Sequence, residues 1–241
     1  TYNSKVTIMH NKPTHKPRPM IDLLVSIIIP SLILMKLSGD SYLGVSGGLI
    51  TALAFPIGWG LFELIKYRKF NFIALLGLVS VLLTGGIGLF ELDNKWLAIK
   101  EAAIPAVIGV AVLVSTFTPY PLVKSLLFNP AVMDVEKIKK QLAAHNSTVI
   151  FEKRLMKATY MVASSFVFSA TMNYILAKWL VTSPAGTPEF NEQLGQMTLY
   201  SYPMIALPSM LMLLGVFYYL WRSINSLTGL KLEEVMASKD K

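Results

Sequence analysis

Apolar residues in this chain gather into about six long runs separated by shorter polar connections. The runs cover about Met20–Met35, Leu43–Ile65, Phe72–Phe90, Trp96–Phe117, Leu155–Val181 and Leu199–Trp221. A helix crossing a hydrocarbon layer of roughly 30 Å needs about 20 residues, and every backbone polar group there must be satisfied within the segment. Most of the runs meet that length, and the first does so only by borrowing from its flanks. The pattern predicts an all-α, polytopic membrane protein with six transmembrane helices. The short alternating runs of a membrane β-barrel are missing from the sequence.

The connections alternate in charge. One set holds Lys5, Lys12, Lys16 and Arg18 before the first run, Lys66, Arg68 and Lys69 after the second, Lys124 to Lys157 between the fourth and fifth, and Arg222, Lys231, Lys239 and Lys241 after the sixth. The other set carries Lys36, Lys95, Lys100 and Lys178 against Asp40, Glu91, Asp93, Glu101, Glu189 and Glu192. Basic loops stay in the cytoplasm. The expected topology is therefore multi-pass with both termini cytoplasmic.

Residues 1–19 read as a disordered, basic cytoplasmic tail, because the prolines of His10–Pro19 forbid helix. The transmembrane domain spans 20–222, and 223–241 form a cytoplasmic C-terminal tail. Within the connection 118–154, Asn129-Pro130 offers a helix start, and Val135, Ile138 and Leu142 share a face opposite Lys137, Lys139 and Lys140. That arrangement predicts a short helix lying on the membrane surface, or alternatively a docking helix for a partner. The connection Thr182–Thr198, with Pro184, Gly186 and Pro188, is expected to be an irregular loop. No cleavable signal is evident, and an initial Thr in place of Met implies that some N-terminal residues are missing or processed.

Composition agrees: 54% of residues are hydrophobic and only 15% charged, well below the quarter usual in soluble domains. The net charge of +8 lies beside the ends of the runs, where anionic headgroups attract it, so it does not imply nucleic acid. The partners implied are the lipid bilayer and other membrane proteins or a second copy. With no cysteine there is no disulfide or thiolate metal site. His10, His15 and His145 all fall in cytoplasmic segments. No catalytic constellation, metal set or cofactor motif emerges, and the chain is expected not to be an enzyme.

The polar candidates at or within the spans are Glu63, Lys100, Glu101, Asn173 and Tyr202. Glu63 stands near Lys66 at a span end, where an ion pair is the simplest role. Glu101 precedes Pro105 by four residues, so its own carbonyl loses its usual donor; the pair Lys100–Glu101 would then form either an interfacial ion-pair cluster with Lys95 or a proton or cation site. Asn173 is expected to bond between helices. Pro30, Pro56, Pro105, Pro203 and Pro208 would kink their helices for packing, or open carbonyls to a substrate. Pro30 and Pro105 occupy comparable places in runs one and four, but the remaining runs do not extend an inverted repeat. The glycines Gly58, Gly60, Gly77 and Gly85-Gly86-x-Gly88 favour close helix packing, while Trp96, Trp179 and Trp221 sit where interfacial belts form.

Several segments carry a family resemblance: Phe70-Asn71-Phe72, Leu83-Thr84-Gly85-Gly86, Glu91-Leu92-Asp93, Lys100-Glu101-Ala102-Ala103-Ile104-Pro105, Asn173-Tyr174-x-x-Ala177 and Ser201-Tyr202-Pro203-x-x-Ala206-Leu207-Pro208. Over most of its length the chain resembles a family of uncharacterised bacterial six-span inner-membrane proteins, sometimes labelled major-facilitator transporters. More distantly it is similar to the intracellular septation protein A family, from which it departs in its longer fourth-to-fifth connection and proline-rich sixth run. The resemblance implies a non-catalytic protein with a structural or regulatory role in the cell envelope, or an accessory subunit of a larger membrane complex. The alternative is a small secondary transporter or channel for an ion or small solute.

Overall fold

A computed structural model describes residues 19–67, 72–118, 121–128 and 133–236. The N-terminal tail, the Arg68–Lys69 turn, the Asn129-Pro130 helix start and the last five residues lie outside them. In chain order the helices are α1 (Pro19–Leu23), α2 (Ile29–Leu37), α3 (Gly44–Tyr67), α4 (Phe72–Leu89), α5 (Lys95–Ser115), α6 (Leu122–Leu127), α7 (Val135–Ala144), α8 (Thr148–Leu180), α9 (Pro188–Ser201), α10 (Leu207–Thr228) and α11 (Leu232–Val235). Leu24–Ile28 joins α1 to α2, and Tyr202–Ala206 joins α9 to α10, each as a single π-helical turn.

Among the described residues the fold is all-helical, apart from one isolated bridge between Met133 and Met236. Five helical runs are long and apolar enough to cross a membrane: Met20–Leu37, Gly44–Phe62, Lys95–Ser115, Thr148–Leu180 and Pro188–Thr228. This is a membrane protein by length and composition of its helices. The remaining run expected from the sequence is helical as α4, with a shorter apolar part, Leu76–Leu89.

The chain divides into two compact units. The first contains the described residues through Asp93 together with Ser183–Leu199. Here α2 and α3 form a hairpin in which Gly48 faces Ser38 so closely that a Cβ would strike the hydroxyl. Along α4, Gly85 and Gly88 admit Leu53 and Leu49 of α3 in the same way. Small residues let membrane helices approach where hydrophobicity supplies no drive between them.

The segment expected to be an irregular loop is mostly helix. Only about residues 181–187 are irregular; Pro188 opens α9, and Thr187 Oγ1 accepts the Phe190 N–H at 3.2 Å as a cap. Phe190, Leu194 and Met197 recur at helical spacing and are buried, so burial of this stripe overrides the polar composition. At the preceding turn Gly186 adopts φ +84°, and a Cβ there would meet the side chain of Glu91.

The second unit contains Asn94–Thr182 and the residues from Tyr200 onward. Its axis is the antiparallel pair α5 and α8: Asn94 Nδ2 donates to the Val181 carbonyl at 3.1 Å, while Gly109 receives Phe166. Helix α10 packs on the other part of α8, with Arg154 reaching the Ser223 carbonyl at 3.5 Å.

Below those helices lies a folded knob. Ile138 and Leu142 of α7 are almost completely buried with Phe151 and Leu155 of α8, Ile224 of α10, Leu230 and Val235. The face of α7 expected to lie on lipid is therefore turned into the protein; burying each aliphatic side chain is worth about 1.5–3 kcal/mol. The expected C-terminal tail is likewise folded as far as Met236. Helix α10 continues to Thr228, Gly229 closes it at φ +72°, and Asn225 Nδ2 donates to the Leu230 carbonyl at 2.8 Å. The Asp134 N–H then bonds the Val235 carbonyl at 2.9 Å, and Lys137 pairs with Glu234 at 3.2 Å.

Candidate functional site

Of the polar candidates, Lys100 and Glu101 meet directly. Their Nζ and Oε1 atoms are 2.6 Å apart, with Lys100 only 7% exposed and Glu101 22%. Both lie on the α5 side that also carries the buried Leu97, Ala98, Gly109, Val112 and Ser115. Helix α5 runs unbroken through Pro105, whose ring removes the donor from the Glu101 carbonyl.

The depth of this pair follows from helix register. With Asn94 opposite Val181 and Gly109 opposite Phe166, Lys100 and Glu101 come level with about Asn173–Leu176 of α8. Lys178 and Trp179 are the next turn of α8, and Trp179 and Trp96 are both exposed. Lys157 stands 21 residues before Lys178, about 30 Å along a helix, which matches the hydrocarbon thickness. The Lys100–Glu101 pair thus sits about one helical turn from the level of Trp96 and Trp179, nearer to Lys178 than to Lys157 along α8.

Among the described residues Asn173 makes no bond to another helix. Its Nδ2 donates to the Ser169 carbonyl at 2.8 Å and approaches Ser169 Oγ at 3.3 Å, both within α8. The carbonyl four residues back is the nearest acceptor on its own helix, and it satisfies the amide without a partner segment. Tyr202, 39% exposed, opens the second π-helical turn, and its carbonyl accepts the Leu207 N–H. Glu63 lies in α3 with its side chain outside the described residues.

The prolines separate into two kinds. Pro56 and Pro105 are inside continuous helices. Pro30 and Pro208 each follow a π-helical turn by two residues, and Pro203 lies within the second turn. The two breaks share a plan: a five-residue π turn, then Ile29-Pro30-Ser31 or Leu207-Pro208-Ser209. In each, the residue before the proline donates five residues back, Ile29 to Leu24 and Leu207 to Tyr202. The wider turn accommodates a proline ring that would otherwise collide with the carbonyl four residues earlier. Ser31 Oγ and Ser209 Oγ are both buried without a hydrogen-bond partner among the described residues.

Two polar contacts escaped the sequence reading. Trp59 Nε1 donates to Asp22 Oδ1 at 3.1 Å, tying the start of the first apolar run to α3. Its signal was a carboxylate three residues into an apolar stretch. Asn191 is completely buried; its Nδ2 donates to Ser38 Oγ at 3.0 Å and to the Val45 carbonyl at 2.8 Å. Both partners lie about 150 residues away in sequence, so only the fold brings them together.

Among the described residues no group of three or more His, Asp or Glu side chains is placed to hold a metal ion. What the arrangement offers chemically is the Lys100–Glu101 ion pair, two π-helical turns each followed by a proline, and the folded knob around α7. Comparison of the chain with protein families, curated proteins and solved structures found no match.

Proposed function

We propose that this chain is a six-span, non-catalytic protein of the bacterial inner membrane, with both termini cytoplasmic, that serves as a structural or accessory subunit of a membrane complex. The observation that carries this reading is the knob formed by α7, α11 and the ends of α8 and α10. A capped helix, a defined reversal at Gly229 and an ion pair from Lys137 to Glu234 give it a fixed surface outside the bilayer. Such a surface suits contact with another protein, whereas a chain acting only within lipid has no need of it. The basic connections support the topology, and α4, at 18 residues, reaches about 27 Å, enough for a slightly thinned bilayer.

The test is quantitative mass spectrometry of the protein purified from its native membrane in mild detergent. A stoichiometric partner that is lost when α7 surface residues are replaced supports the reading. Recovery as a single species, with an unchanged cell envelope on deletion, overturns it.

A small transporter or channel is the second reading. It is favoured by the two π-turn breaks, because interrupted membrane helices expose carbonyls to ions and substrates. The shallow position of Lys100–Glu101 argues against a pathway through that pair. Reconstituted vesicles distinguish the two readings: solute or ion flux reduced by Glu101→Gln would establish the second.

A further inference from the structure

We infer that the cytoplasm-facing end of the α8–α10 pair is a binding site for anionic phospholipid headgroups. Two contacts fix the register: Arg154 meets the Ser223 carbonyl at 3.5 Å, and Lys157 Nζ stands 5.7 Å from the centre of the Tyr219 ring. This antiparallel register gathers Lys153, Arg154, Lys157 and Arg222 at one level. Lys153, Lys157 and Arg222 are exposed. Arg222 Nη1 donates to Tyr218 Oη at 3.4 Å, and Tyr218 packs against Trp221 with ring centres 5.5 Å apart.

The level coincides with the membrane boundary. Lys157 lies about 30 Å along α8 from Lys178, and on α10 the apolar stretch from Leu207 ends in Tyr218, Tyr219 and Trp221 just before Arg222. Cations flanked by Tyr and Trp at that depth face lipid phosphates, and an aromatic ring beside Lys157 holds the ammonium there at little cost.

The local charge is not neutralised internally. Helix α10 contains no acidic residue, and α8 contains only Glu152, which pairs with Lys124 at 3.7 Å. Among the described residues no carboxylate pairs with Lys153, Arg154, Lys157 or Arg222. Four cations with one acid, itself engaged by a fifth cation, complement a negatively charged leaflet. The occupant is therefore the headgroup phosphate of an anionic lipid, held by Lys153, Lys157 and Arg222 and positioned by Arg154.

The test is native mass spectrometry of the full chain in mild detergent, titrated in parallel with phosphatidylglycerol and phosphatidylcholine. Phosphatidylglycerol is expected to be retained preferentially. Each cation near the surface contributes about fivefold in affinity, so the combined Lys153→Gln, Lys157→Gln, Arg222→Gln variant should lose well over tenfold, and Arg222→Gln alone about fivefold. Lys139→Gln with Lys140→Gln, on exposed positions of α7, should change nothing. Circular dichroism identifies a misfolded triple variant, and the single Arg222→Gln variant then decides. Equal retention of the two lipids by the parent, or undiminished retention by the folded variants, overturns the proposal. So does full displacement by millimolar inorganic phosphate, which would make this a free-phosphate site.

Discussion

The side-chain amide of Asn191 donates to Ser38 Oγ at 3.0 Å, joining residues 153 positions apart inside the first compact unit. It is completely buried, and its second donor bond goes to the Val45 carbonyl. Helix α9 is thereby clasped to the turn between α2 and α3, and Gly195 lets it lie against the Ser31 carbonyl, where a Cβ would come within 2.8 Å.

Asn191→Ala should lower stability by about 1–3 kcal/mol, because Ser38 and the Val45 carbonyl lose a buried donor. Thermal unfolding in detergent measures this. A change within error would mean that water replaces the amide without loss.

Gly109 and Gly58 give opposite expectations for the same substitution. A Cβ on Gly109 would lie 2.9 Å from the Cβ of Phe166, an atom fixed to the α8 backbone, whereas nothing lies within 4 Å of Gly58. Gly109→Ala should cost about 1–3 kcal/mol through overpacking, and Gly58→Ala should be neutral or stabilise by up to about 1 kcal/mol. Comparing the two melting temperatures checks both.

The buried pair in α5 should behave asymmetrically under mutation. Glu101→Gln alone removes the carboxylate from a largely buried ammonium and should cost about 1–3 kcal/mol, discounted for the partial exposure of Glu101. Replacing both Lys100 and Glu101 by apolar residues should cost less than either single change. A double-mutant cycle on the unfolding free energy provides the measurement.

Docking of the C-terminal segment should depend on acid. The backbone N–H of Lys231, then the hydrogen bond and charge of Lys137, hold the Glu234 carboxyl below its ordinary value of 4.5. Because the folded value is depressed, the contribution is complete above the ordinary value and is lost as pH falls through the folded one. Hydrogen exchange at Val235 and Met236 should accelerate across that acid range, and Lys137→Gln should weaken the dependence. Identical profiles for parent and variant would remove Lys137 from the account.

The partner of Asn173 is not legible from its place in the sequence. An amide within an apolar run has acceptors on its own helix as well as on others, and spacing does not rank them; Ser169 takes the bond. Asn191 presented the converse, since its polar neighbourhood suggested a loop while the Phe190, Leu194 and Met197 stripe was already legible at helical spacing.

By itself the sequence determined the all-helical membrane class and the placement of the apolar runs, because hydrocarbon thickness and backbone satisfaction are local demands that any adequate run must meet. Tertiary structure alone decided that α7 turns its apolar face into the protein, that residues 223–236 fold back, and that Asn191 meets Ser38. Those outcomes depend on which distant surfaces come together, and local pattern carries no information about the partner.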